Sequence, residues 1–303
     1  MREQEFIPNK YSNSINKGQV TWQSPSNIAL IKYWGKKANQ IPANPSLSFT
    51  LKNCKTTTRL EFHKKSKNSN NFDFELFFEG KRKDEFKPKI QQFFTRIEEY
   101  CPFLKDYSFQ IQTENSFPHS SGIASSASGM SALALCVMSL EKELNPDIAT
   151  EFFNRKASFL ARLGSGSACR SIEGELIEWG AHKSFPESSD LYGIHYAFEV
   201  AEVFKTFQDT ILLVDKGQKQ VSSSVGHNLM HGHPFAEARF AQAHSNLELL
   251  KQIFASGNLE EFIEIVESEA LTLHSMMMSS NPYFILMKPN TLQIINKIWD
   301  FRE

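Results

Sequence analysis

Positions 72–78, Phe-Asp-Phe-Glu-Leu-Phe-Phe, set Phe72, Phe74, Leu76 and Phe78 against Asp73 and Glu75. This two-residue period predicts a half-buried strand. The polar run HKKSKNSNN before it reads as a turn, and Val20 to Leu30 also suits strands. Ile90, Phe93, Phe94 and Ile97 in KIQQFFTRIEEY fall at helical spacing, and YSFQIQTEN alternates again as a strand. Met130, Leu133, Ala134, Val137 and Leu140 recur every three or four residues, predicting a buried helix. A second helix is expected from about Asp147 to Leu163, stopping at Gly164. GELIEWGAH and YAFEVAEVF read as strands, and DTILLVD as a short buried one. From about Glu237 the pattern is mostly helical, with two helices around Gly257. Residues 1–19 are polar and expected to be loose, or loosely added to the first sheet. Strands and helices mix throughout, so the class is α/β or α+β.

The chain of 303 residues is 41% hydrophobic, enough for a sizeable core and roughly two domains. Its formal net charge of −1 argues against a general polyanion-binding surface. The best local basic patch, KRKDEFKPK at 81–89, is diluted by acids and reads as a solvated loop. No nucleic-acid partner is expected. The N-terminus lacks an apolar signal core, and the apolar run at 131–140 is too short to span a bilayer, so no membrane association is expected. Cys54, Cys101, Cys136 and Cys169 have no CxxC spacing and read as reduced thiols of a cytoplasmic protein.

Three segments carry candidate chemistry. In NIALIKYWGKK an apolar run ends in Lys32, Tyr33, Trp34, Gly35, Lys36 and Lys37, which fits either an ordinary strand end or an anion site. In PHSSGIASSASG, Gly122 permits unusual dihedrals and Ser125, Ser126 and Ser128 offer hydroxyls at a helix start. That suits a phosphate cradle or a plain serine-rich cap, and it lacks the GxxxxGK[ST] pattern. In ARLGSGSACRS, Ser165, Ser167 and Arg170 could hold a carboxylate or phosphate, or Arg170 could sit in a structural ion pair. Together the three suggest two anionic ligands meeting, such as a nucleotide and a phosphorylated small molecule.

Four segments, in order, resemble the diphosphomevalonate decarboxylases of the GHMP kinase superfamily: SNIALIKYWGKK with IPANPSLSFTL, FPHSSGIASSASG, ARLGSGSACRSIEGELIEWG, and VSSSVGHNLM. The pairing of KYWGK with SGSACRS is the specific part, because the wider superfamily shares the phosphate loop. Weaker similarity continues through LHSMMMSSNPYF. The resemblance implies an α+β, GHMP-kinase-type two-domain fold: an ATP-binding domain over 1–195, like domain 2 of ribosomal protein S5, and a ferredoxin-like domain over 196–303. It implies a homodimer of the mevalonate pathway of isoprenoid biosynthesis, using ATP and Mg2+ to convert mevalonate 5-diphosphate to isopentenyl diphosphate. By the family's motifs Tyr33, Lys36, Ser165 and Ser167 would hold the diphosphate and Arg170 the carboxylate. Lys32 would sit near the transferred phosphate. Asn27 would orient the phosphate end, Gly122, Ser125 and Ser126 would line the ATP phosphates, and Ser222 and Ser223 would close near the substrate. The metal ligands stay unassigned.

One departure stands out. The family's catalytic aspartate lies in a Gly-rich motif after a helix resembling NTLQIINKIWDFRE, and no such motif follows here. The resemblance therefore implies a C-terminally shortened member, with a non-catalytic nucleotide- or substrate-binding protein as the alternative outside enzymes, and Asp300 is not given the role. A sister activity, mevalonate 3-kinase or phosphomevalonate decarboxylase, is the alternative within enzymes. His227, His231 and His233 do not match zinc spacings and read as a loop and helix start. Met276, Met277 and Met278 read as core, and Cys169 as a buried structural thiol.

Overall fold

The computed structural model describes all residues except 68, 119–121 and 215–222, with the side chains at 223 and 224 also outside the described set. Its strands are β1 (Lys17–Ile31), β2 (Ser46–Lys64), β3 (Asp73–Phe78), β4 (Lys81–Arg82), β5 (Tyr107–Asn115), β6 (Leu176–Trp179) and β7 (Ile194–His195). Its helices are α1 (Lys87–Ile97), α2 (Ser125–Leu144), α3 (Thr150–Gly164), α4 (Glu202–Lys205), α5 (Ser223–Asn228), α6 (Ala236–Ser256), α7 (Leu259–Met278) and α8 (Pro289–Arg302).

The 19-residue β2 organises the sheet. One edge pairs antiparallel with β1 along nearly its whole length. The other edge is shared: Thr56–Lys64 pairs with β5, and Ser46–Phe49 pairs with β6. β3 runs parallel to β5, giving the order β4-β3-β5-β2-β6-β7, with β1 beside β2. Pro25 lies inside β1 without breaking the sheet because the register shifts between Pro25 and Ser26. An irregularity there removes the need for the missing N–H.

Two cores form on this frame. Leu60, Phe62, Phe109 and Ile111 pack under α1, α2 and α3. α2 is buried almost all round, as expected for a helix apolar on every face. The second core joins Leu30, Ile31 and Leu47 of β1 and β2 to Ala243, Leu247, Leu250 and Phe254 of α6 and to Phe262 of α7. Gly257, at φ +78°, ends α6 in the left-handed conformation and turns the chain into α7.

Three expectations need correction. The N-terminal residues are not loose: Phe6 is fully buried and stacks on Phe159 with ring centroids 4.5 Å apart, while Tyr100 donates to Glu3. YAFEVAEVF is not a strand. After β7 the chain leaves the sheet, and its last residues enter the short α4. DTILLVD forms no ladder in its described residues, and Leu212 and Leu213 are 58% and 46% exposed. An isolated extended segment has no neighbour for its backbone groups, so apolar content alone does not make a strand. Beyond His195 the described residues hold α4–α8 and no strand. Met276 and Met277 are buried as expected, but Met278 is half exposed.

Candidate active site

Beyond Ile31 the chain leaves the sheet and carries Lys32, Tyr33 and Trp34 across its end. Lys32 Nζ donates to the Ala29 carbonyl at 2.7 Å. Its ammonium is pulled below the ordinary lysine range, mainly by burial and further by Arg170 and Arg239, while Glu269 and Asp209 oppose the shift. Tyr33 meets Trp179 edge-on at 4.7 Å and lies 4.3 Å from the His227 ring. Among the described residues its buried hydroxyl has no hydrogen-bond partner. His227 also leans on Trp34 and accepts the Gly35 N–H at Nδ1, 3.1 Å away. Burial, with Lys36 and Arg170 nearby, lowers its pKa to about 3. A neutral imidazole is what that acceptor role requires. His227 therefore packs α5 against the KYWG segment. Gly226 allows this, because a Cβ there would lie 2.5 Å from the Trp34 ring.

The second cradle begins where α3 ends. Residues Gly166–Ser171 form a tight helical turn, and a Cβ on Gly166 would stand 2.7 Å from Tyr33 Oη. Arg170 is 3% exposed. Its Nε and Nη2 each lie 3.4 Å from Asn27 Oδ1, its Nη1 donates to Ser46, and its guanidinium lies over the Trp179 ring. Asn27 is held in turn by the Ser167 carbonyl at 3.1 Å and Ser171 Oγ at 2.7 Å. The structural ion-pair alternative therefore fails: among the described residues Arg170 is held by neutral groups. Its charge stays available to a ligand.

The third cradle is the start of α2. Gly122 has φ +88° and Ala124 has φ +51°, and Ala124 offers no side-chain cap. Among the described residues the N–H groups of Ser125 and Ser126 thus stay open to an anion, while that of Ala127 donates to the Ala124 carbonyl at 2.8 Å. Ser125 and Ser126 line a cavity of about 140 Å³, together with the polar Thr56, Thr113 and Lys89 and the apolar Leu76, Phe78 and Ile111. Ser128 turns inward instead, 2.6 Å from Thr56 Oγ1. The 81–89 run is not merely a solvated loop, since Lys87 starts α1 and Lys89 lines this cavity.

β1 ties the cradles together. Ser24 Oγ donates to the Ser171 carbonyl at 2.8 Å, and Ser26 Oγ donates to the Ile123 carbonyl. Lys32, Asn27, Tyr33 and Arg170 converge on one end of the sheet, with Ser165 and Ser167 on the same turn as Arg170. Lys36 is partly exposed, and burial with Arg96 nearby lowers its pKa. Ser125 and Ser126 line the cavity, and Gly122 lies in the turn that leads to them. Ser222 lies outside the described residues, and Ser223 opens α5. Sequence reasoning missed Ser24, Ser26, Ser46, Asp209 and Glu269. Serines at alternate positions in QSPSN were the available signal for the first two.

Among the described residues no group of three or more His, Cys, Asp or Glu side chains could hold a metal, and no helix is long and apolar enough to cross a membrane. The four cysteines are free. Cys169 is buried, and burial raises its thiol to about 12, which makes it an inert packing group.

The family model for the diphosphomevalonate decarboxylase-like N-terminal domain matches residues 24–191. A diphosphomevalonate decarboxylase of Candida albicans is 27% identical over 293 residues, covering 91% of this chain and 76% of the relative. The crystal structure of mevalonate diphosphate decarboxylase from Staphylococcus aureus superposes with a TM-score of 0.76 at 25% identity, covering 94% of this chain and 82% of that one. A structure described as MDDEF in complex with MVAPP, AMPPCP and magnesium gives a TM-score of 0.72 at 25% identity, over 95% of this chain and 83% of that one. On the match over 24–191, which takes in all three cradles, the chain belongs to the diphosphomevalonate decarboxylase-like family.

Proposed function

We propose that this chain carries out the ATP-dependent decarboxylation of mevalonate 5-diphosphate to isopentenyl diphosphate. The observation that carries the reading is Arg170, a buried guanidinium held by Asn27 and Ser46 beside the Tyr33 hydroxyl, which has no partner among the described residues. A planar fork of donors suits a carboxylate. Tyr33, Lys36, Ser165 and Ser167 take the diphosphate, and Asn27 orients both Arg170 and the phosphate end. By the family resemblance Ser222 and Ser223 would act near the substrate.

The γ-phosphoryl group of ATP is transferred to the tertiary 3-hydroxyl, releasing ADP. Breaking the C–O bond then expels that phosphate, and the C–C bond to the carboxylate supplies the electron pair of the new alkene as carbon dioxide departs. Phosphorylation is needed because hydroxide is a poor leaving group. Lys32 steadies the transferred phosphoryl oxygens. Gly122, Ser125, Ser126 and the α2 N–H groups take the ATP phosphates, with the apolar side of the cavity open to the base. Mg2+ keeps several waters and binds largely through phosphates, so it would be held here by the ATP phosphates at the Ser125–Ser126 cradle and would neutralise nucleotide charge there.

We assign residues 1–195 to the ATP-binding domain and 196–303 to the C-terminal domain. We also assign a homodimer and a cytoplasmic location, which the free cysteines suit. The test is release of labelled carbon dioxide from carboxyl-labelled mevalonate 5-diphosphate, dependent on ATP and Mg2+. ADP formation without carbon dioxide would make the chain a 3-kinase. Binding without either product would make it a non-catalytic member.

A further inference from the structure

The peptide groups around Lys32 have lost their sheet partners, because β1 ends at Ile31. Side chains replace them. The Lys32 N–H donates to Glu269 Oε2 at 2.8 Å. The Lys32 carbonyl accepts from Asn44 Nδ2 at 2.9 Å and Arg239 Nη2 at 3.3 Å. Arg239 and Glu269 grip each other at 2.5 and 3.1 Å, and Asn246 donates to Glu269 at 2.7 Å. Both charged side chains are fully buried. Such a pair is poorly explained by stability, since its desolvation can exceed its attraction and apolar replacement is often neutral. It is well explained by geometry: two donors and one carboxylate fix both peptide planes of a single residue. We infer that Arg239 and Glu269, carried by α6 and α7, are positioning residues that set the direction in which Lys32 leaves the sheet.

The catalytic part of this inference rests on the function proposed above, but the placement of Lys32 does not. The two are separated by reading the Lys32 amine directly, through its competitive acetylation as a function of pH, measured by mass spectrometry on the peptide containing Lys32. Arg239→Met combined with Glu269→Leu replaces the pair by apolar groups of similar volume. The control is Lys156→Met with Glu141→Leu. It removes a pair of equal burial, 2.5 Å apart, in the other core, where no candidate site residue is touched.

The expected result is a folded clamp variant whose Lys32 midpoint rises toward the ordinary lysine range, because escape from burial, the largest cause of its depression, outweighs the loss of the Glu269 charge that holds it up. Its kcat for carbon dioxide release falls about 10- to 100-fold with KM changed less than about threefold, the pattern of a misplaced catalytic group. The control pair leaves the Lys32 midpoint and kcat unchanged, whatever it does to the unfolding temperature. An unchanged Lys32 midpoint in a folded clamp variant overturns the inference, as does an equal shift in the control. Should the double variant not fold, Glu269→Asp keeps the charge and withdraws the carboxylate from the Lys32 N–H, and the same two outcomes decide. If the unaltered chain releases no carbon dioxide, the proposed function fails, and the Lys32 midpoint still decides the clamp.

Discussion

Two cradles flank Lys32, and they are made from different materials. At one end the binding group is a charge. Arg170 is desolvated in advance and fixed by Asn27, Ser46 and the Trp179 face. At the other end the binding groups are the N–H bonds of Ser125 and Ser126, open among the described residues, and their hydroxyls, reached through left-handed turns at Gly122 and Ala124. A buried charge has a high desolvation cost and must be positioned by its surroundings. Backbone N–H groups are positioned by the helix itself and need only a clear approach. The first cradle should therefore fail steeply on small changes, and the second gradually.

Arg170→Lys gives the largest expected effect. The charge remains but the fork is lost, so turnover should fall by roughly a hundredfold or more while ATP affinity stays within about threefold. Near-normal carbon dioxide release from this variant would remove Arg170 from its role. Gly166→Ala comes next. The new methyl meets the Tyr33 hydroxyl end of a buried ring, which must move. About a tenfold loss in kcat/KM for the diphosphate substrate is expected, with the Tyr33 displacement visible by crystallography.

Glu178 sharpens the comparison from the far side of the sheet. It sits on β6 next to Trp179, is fully buried, and neither carboxylate oxygen has a partner among the described residues. Burial, reinforced by Asp190 and opposed by Arg170, raises its pKa to about 9. At neutral pH it is therefore protonated, and the field of Arg170 is not opposed by a neighbouring carboxylate. The raised value also sets the sign of a stability effect. Above the unfolded value near 4.5 the unfolded chain gives up this proton and the folded one keeps it. Stability thus falls as pH rises from there to about 9, then levels off. Glu178→Gln should remove that slope, leaving the variant better by on the order of 1 kcal/mol in the change from pH 7 to pH 8. Parallel urea unfolding curves for the two proteins at both pH values would exclude a buried neutral Glu178.

Gly122→Ala gives the smallest effect. An added Cβ meets nothing within 4 Å, so only the backbone conformation at φ +88° is strained. That costs about 1 kcal/mol, a loss of a few fold in ATP affinity by calorimetry with substrate affinity unchanged. A hundredfold loss would mean that the nucleotide cradle is as sharply tuned as the Arg170 cradle.

The sequence made the chemistry more legible than the frame. Lys32, Tyr33, Ser165, Ser167 and Arg170 stand in dense motifs, and α2 and α3 announce themselves by periodicity. The longest strand, β2, does not. Its buried face over 56–62 runs Thr56, Thr58, Leu60, Phe62, and threonines do not register as apolar even where they are buried and hydrogen-bonded to Ser128 and Thr113. Arg239 and Glu269 look like the solvated face of a helix until tertiary structure brings them together. Conversely, the apolar runs at 196–204 and 209–215 promised strands that local composition alone cannot pair.

His227 leaves a mark on how rates should vary with acidity. An imidazole beside a substrate site usually introduces an inflection near its ordinary value of about 6.5. Here the ring is committed as an acceptor for the Gly35 N–H and is depressed to about 3, so it stays uncharged throughout the range in which enzymes are assayed. Any acid limb near neutrality in kcat/KM then belongs to a group other than His227, such as an ionisation of the substrate, and His227→Asn should leave the position of that limb where it was.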